Sequence, residues 1–117
     1  MGAKVYFSPQ ITPEKVLELY KAAGYQLPGK VAVKVHSGEK GNQNFLRPEF
    51  WKPMVDYVSG TVVETNTAYD GARSTTERHR QLFADHGWLD HFPVDLLDAE
   101  GPDLELPIPE GKVIRKN

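Results

Sequence analysis

Residues 31–36 read Val-Ala-Val-Lys-Val-His, a near-continuous apolar run of the kind a parallel strand carries when both of its faces are covered. A buried helix also tolerates short runs like this, but the β-branched content and the Gly38 just beyond favour strand. Similar strand signals recur on either side. Lys4-Val5-Tyr6-Phe7-Ser8 is β-branched and aromatic and stops at Pro9, and Thr61-Val62-Val63-Glu64-Thr65 reads as a further strand after Gly60.

Helical patterns fill the gaps. Thr12 offers a cap oxygen, Pro13 suits the first helical position and Glu14 complements the dipole; Val16, Leu17, Tyr20 and Ala23 form an apolar stripe that Gly24 is placed to end. A polar loop, 37–47, leads to Pro48-Glu49-Phe50-Trp51. Pro53 has no N–H for the Glu49 carbonyl, so the helix here is expected to kink or to start near Lys52, running to Val58. Ser74-Thr75-Thr76-Glu77 fits a capping box for a third helix that ends at His86-Gly87. Beyond Asp90 come short strand candidates: Val94-Asp95-Leu96, an alternation at Leu104, Leu106 and Ile108 held to an edge or irregular path by Pro107 and Pro109, and Lys112-Val113-Ile114-Arg115. Asp98 belongs to a turn. The order β-α-β-α-β-α followed by short strands predicts a single α/β domain over 1–117, a three-layer sandwich with a mainly parallel central sheet.

Composition narrows the chemistry. With 39% hydrophobic and 26% charged residues the chain matches an ordinary globule, and no apolar run approaches the roughly 20 residues of a membrane span. A net charge of −2 without a basic stripe argues against nucleic acid and anionic membrane as partners. The absence of Cys excludes disulfides, thiolate zinc sites, a Cys nucleophile and an iron–sulfur cluster ligated by this chain. Strand-like sequence from Lys4 leaves no length for a secretory signal, so a cytoplasmic address is expected.

In open parallel sheets ligands bind beyond the carboxyl ends of strands, which singles out the loops after 31–36 and 61–65. In the first, His36 and Glu39 are candidate catalytic bases; Ser37, Gly38, Gly41 and Asn42 are candidate ligand contacts, the glycines letting backbone amides turn inward. In the second, Glu64 and Asn66 are expected to share a pocket with His36, and Thr67, Tyr69 and Arg73 to orient a small polar or anionic ligand. His79 lies on the inward stripe of the third helix near its positive end, which keeps the ring neutral. His36, Glu64 and His79 thus form a candidate divalent-metal set, with mixed donors suited to Zn, Mn, Fe or Ni. The competing reading makes the first loop a surface turn, Asp70-Gly71 a solvated turn, Arg73 a partner of Glu77 and His79 a hydrogen-bonded core residue. His86 reads as closing its helix, His91 as a solvated loop residue, and Trp51 and Trp88 as core or cover.

Val35-His36-Ser37-Gly38-Glu39-Lys40-Gly41-Asn42, then Glu64 through Arg73, then His79 and His86-Gly87, resemble the opening part of the domain of unknown function 362 family. Members are described as iron–sulfur or ferredoxin-like because many carry a Cys-rich module further on. The resemblance implies an N-terminal part of a longer family domain and a ferredoxin-type partner, and it supplies no established reaction; a homo-oligomer is expected instead from an exposed sheet edge. Two functions follow as expectations: a small-ligand or divalent-metal site at the two loops, or a non-catalytic module that pairs with a missing C-terminal half or another copy through an exposed sheet edge.

Overall fold

A computed structural model describes residues 2–97, 99–101 and 104–113. Helix α1, Pro13–Ala23, begins where Thr12 accepts the Lys15 N–H at 3.3 Å and ends at Gly24 with φ 73°, a left-handed position suited to a residue without Cβ. Strand β1 is Ala32–Lys34, helix α2 Pro48–Val58, strand β2 Thr61–Thr65, helix α3 Thr76–Asp85 and strand β3 Val94–Leu97, with one 3₁₀ turn at Trp88–Asp90. The three strands form a parallel sheet in the order β1-β2-β3, with Val33 opposite Val62 and Val62 opposite Val94. The fold is therefore mixed α/β, a sandwich built on a parallel sheet.

Strand alternation decides which side chains meet the helices. Val33, Val62 and Val94 form one row on the helix-facing side, and Val35, Glu64 and Leu96 the next. The core gathers Val35, Val62 and Leu96 from this side with Val55 of α2, Phe83 of α3, and Trp88 and Phe92. Phe83 and Trp88 are fully buried and meet edge to face at 6.1 Å, the favoured arrangement of aromatic quadrupoles. Truncating either to Ala costs about 3–5 kcal/mol.

Several expectations need correction. Lys4–Ser8 forms no strand: Val5 is 86% and Phe7 82% exposed, because strand propensity without a neighbouring ladder leaves the backbone to water. β1 is not covered on both faces; Ala32 and Lys34 are exposed, since the core packs on the Val33 side. Helix α2 starts at Pro48 and keeps Pro53 inside. The carbonyl that Pro53 leaves without an N–H belongs to Glu49, in the opening turn, and Pro48 presets the helical φ there. The cap of α3 is Thr75, which accepts the Arg78 N–H at 3.4 Å, and the Ser74 hydroxyl instead donates to the Gly71 carbonyl at 2.9 Å. Arg78 rather than Glu77 then occupies the third helical position, so no capping box forms. Lys112 and Val113 are not in a strand; Ile114, Arg115 and Asp98 lie outside the described residues. Among the described residues no helix is long and apolar enough to cross a membrane.

Candidate functional site

The site forms where β1 and β2 end side by side. The inward alternation Val33, Val35 continues past β1 to Ser37, and the inward row of β2 continues from Val62 to Glu64. Both residues are buried, Ser37 completely and Glu64 to 2% exposure, and the Ser37 N–H donates to Glu64 Oε2 at 2.9 Å. Arg73 arrives from the loop after β2 and donates to Glu64 Oε1 at 2.8 Å through Nη1. The same guanidinium donates through Nε to Glu39 Oε1 at 2.8 Å, and Tyr69 adds its hydroxyl to that oxygen at 2.9 Å. Lys34 Nζ reaches Glu64 at 3.3 Å and the Val35 carbonyl at 2.7 Å.

His79 enters from α3, fully buried, with its ring stacked 5.0 Å from Phe83. Its Nε2 lies 3.0 Å from Ser37 Oγ and 3.3 Å from Glu64 Oε2, and its Nδ1 lies 3.1 Å from Asn66 Oδ1. The network fixes one proton of the ring. The Ala99 carbonyl only accepts, so the Thr76 hydroxyl donates to it at 3.2 Å and accepts from Asn66 Nδ2 at 2.9 Å. Asn66 therefore turns Oδ1 toward the ring, and His79 Nδ1 carries a hydrogen. The Ser37 carbonyl accepts from His86 Nδ1 at 2.8 Å and from Trp88 Nε1 at 3.2 Å. Among the described residues no buried side-chain polar atom lacks a partner, as a low-dielectric cluster requires.

Burial works to raise the Glu64 pKa, but hydrogen bonds from His79 and Ser37 and the Lys34 charge outweigh it and bring the carboxyl down to about 2. The hydrogen bond from Arg73 lowers Glu39 against a smaller opposing effect of burial. Burial works to lower Arg73, but Glu39 and Glu64 more than compensate, so the guanidinium is held more firmly charged. Glu64, Arg73 and Glu39 are a fixed charge ladder running from the core to the surface.

The structure thus brings Ser37, Glu39, Glu64, Asn66, Tyr69, Arg73 and His79 into one network. His36 lies apart from it. One residue before Ser37, it points to the exposed side, where Nδ1 accepts the Gly38 N–H at 3.0 Å and the ring borders a hollow of about 320 Å³ with Asn42, Asn44, Phe45, Leu46 and Trp51. Asn42 is used within its loop, accepting the Asn44 N–H at 2.7 Å. Gly38, at φ 95°, packs against Phe45 and His86, while Gly41, at φ 79°, has open space where a Cβ would be. Thr67 closes the second loop through its N–H to the Arg73 carbonyl at 2.9 Å. Asp70 is a solvated turn residue with an exposed 3.4 Å contact to Arg78. Among the described residues no three His, Asp or Glu side chains are grouped to hold a metal. Sequence reasoning missed Lys34, Thr76 and the tie of His86 and Trp88 to the Ser37 carbonyl; the alternation 33, 35, 37 was the signal that pointed to Ser37 as the meeting place.

Next to the network lies a cleft of about 370 Å³ lined by Lys40, Gly71, Ala72, Arg78, Gln81, Leu82 and Asp85. Lys40 follows Glu39, and Gly71 and Ala72 precede Arg73, so the buried charges brace the cleft's walls.

The model of a family described as a domain of unknown function (DUF362) matches residues 31–117, from the residue before β1 onward. No curated protein and no solved structure matches the chain.

Proposed function

The chain belongs to the DUF362 family, and from that premise we propose that it works as one α/β unit binding a small polar ligand with an anionic group, at the mouth formed by the loops after β1 and β2. The observation that carries this reading is the Glu64–Arg73–Glu39 ladder, buried at Glu64 and Arg73, with His79, at the carboxyl ends of two adjacent parallel strands and beside an open cleft. The ladder is self-satisfied and serves to hold the loops in place. The cleft's cationic groups are Lys40, which is exposed, and Arg78, which contacts an exposed Asp70 at 3.4 Å. Gln81, whose amide donates to Asp85 Oδ1 at 2.8 Å, and the Gly71–Ala72 backbone supply the remaining polar contacts, with the Asp85 carboxylate at the far side from Gly71 along α3.

A catalytic role for Glu39 has less support. Arg73 holds it ionised and weakly basic, whereas a general base works best with a pKa near the working pH. A metal reading through His36, Glu64 and His79 has less support as well, since His36 faces away and both Glu64 oxygens already accept hydrogen bonds. The test is a titration of the whole chain, followed by amide NMR shifts, with inorganic phosphate, succinate and, separately, Zn²⁺ and Mn²⁺. Saturable shifts with an anion, confined to residues 38–42 and 69–82 and lost in Lys40→Ala/Arg78→Ala, support the proposal. Shifts with metal alone, or none with either anion, overturn it.

A further inference from the structure

We infer that residues 4–8 are an exchange arm that adds to the outer edge of β1 in a second copy of this chain. This does not depend on the ligand proposal. Three observations on separate parts of the molecule converge on it.

The first is the arm. Lys4-Val5-Tyr6-Phe7-Ser8 has the composition of a strand, with Val5 and Phe7 on one side of the alternation, yet it forms none and exposes both. The second is the edge. Val31 and Val35 bond to β2, through Thr61 N–H to the Val31 carbonyl at 2.9 Å and Val35 N–H to the Val63 carbonyl at 3.2 Å. In a parallel ladder alternate residues face the neighbour, so the N–H and C=O groups of Ala32 and Lys34 point to the outer side, and among the described residues β1 ends the sheet order. The Lys34 ammonium, which would otherwise guard such an edge, is drawn back onto Glu64 and the Val35 carbonyl. Along this edge runs a mostly apolar hollow of about 280 Å³ bordered by Leu27, Val31, Val33, Met54 and Val58, with Lys34 at its margin. An added strand with Val5 and Phe7 turned toward the core side would fill it.

The third observation selects a second copy as the occupant. Phe7–Gln10 lie beside Lys15, Leu19 and Ala22 of α1, while Tyr20 of the same helix meets Tyr57 of α2 at 6.1 Å and borders the hollow. At 100° per residue those two rows lie on opposite sides of α1. The arm therefore sits across its own helix from its own edge, and a turn in which the Gln10 N–H donates to Ser8 Oγ at 3.1 Å holds it there. Mutual exchange gives a closed two-fold dimer in which each arm fills the other copy's edge.

Self-association is measured by sedimentation equilibrium over a range of concentrations, for the natural chain and for Val5→Asp/Phe7→Asp. The natural chain is expected to dimerise, and the variant to associate about tenfold or more weakly, because two apolar side chains lose their burial, with far-UV circular dichroism unchanged. The chain has no Cys, so Tyr6→Cys/Ala32→Cys reports the pairing cleanly on a non-reducing gel. A covalent dimer is expected, because the two side chains fall on the same face of the joined strands. A monomer at every concentration, a dimer insensitive to the Asp pair, or a bond formed within one chain would each overturn the inference.

Discussion

Ser37 shows how much one residue can organise. Its N–H, hydroxyl and carbonyl meet Glu64, His79, His86 and Trp88, so four parts of the chain are registered on three atoms. The neighbouring Gly38 is required by the same crowding. A Cβ there would stand 2.7 Å from Phe45 and 2.8 Å from the His86 ring, at a φ of 95° that side chains avoid. Gly38→Ala should thus cost about 2 kcal/mol or more in urea unfolding, whereas Gly41→Ala, strained but unobstructed, should cost about 1 kcal/mol. Acid stability follows from Glu64. Its pKa is lowered on folding, so its contribution is complete above the ordinary carboxylate value of 4.5 and disappears as the pH falls toward about 2. The loss amounts to about 3 kcal/mol across that window. Urea unfolding between pH 6 and pH 2 should show this fall, and Glu64→Gln, less stable at neutral pH, should show a flatter profile. Equal slopes for both proteins would assign the acid sensitivity elsewhere. Sequence reasoning placed Glu64, Asn66, Arg73 and His79 near one another because parallel strands deliver their trailing loops to one end. Strand alternation turns Ser37 inward among these residues and His36 to the exposed side, which imidazole chemistry alone does not reveal.

At the level of elements, local signals were legible where the chain itself satisfies them. Helix α1 was readable from cap to cap, since Thr12, Pro13 and Gly24 act within a few residues of one another. The cap of α3 lies one position beyond the Ser74 that the sequence predicts, because the competing bond from Ser74 to the Gly71 carbonyl depends on how the preceding loop folds. That difference can be measured. Thr75→Ala should lower stability by about 1 kcal/mol through loss of the cap. Ser74→Ala should cost about half as much, since its hydroxyl bonds are partly exposed. A larger loss at Ser74 would restore the capping box. Residues 4–8 illustrate the opposite limit. A strand is a relation between two segments, and no composition within five residues can supply the second.

For the molecule as a whole, shape separates what is folded from what is merely attached. The radius of gyration is 17.0 Å, against about 13 Å for a compact chain of this length. Apolar side chains outside the core are exposed in two stretches of the chain, Val5 and Phe7 before α1 and Leu104 and Leu106 after β3. None of these belongs to the cluster of Val35, Val55, Val62, Phe83, Trp88, Phe92 and Leu96 that joins the sheet to α2 and α3. Deleting residues 2–8 should therefore leave thermal stability within about 0.5 kcal/mol at concentrations too low for self-association. Amide shifts of Ser37, Glu64, Asn66 and His79 should stay where they are, because no bond of the charge network passes through the arm. Trp88→Ala, which removes both a core ring and a donor to the Ser37 carbonyl, should unfold the chain under the same conditions. If the deletion instead shifted the network's amides, the arm would have to reach the site within one copy, and the sheet would be ordered from its β1 edge inward rather than from the Ser37 junction.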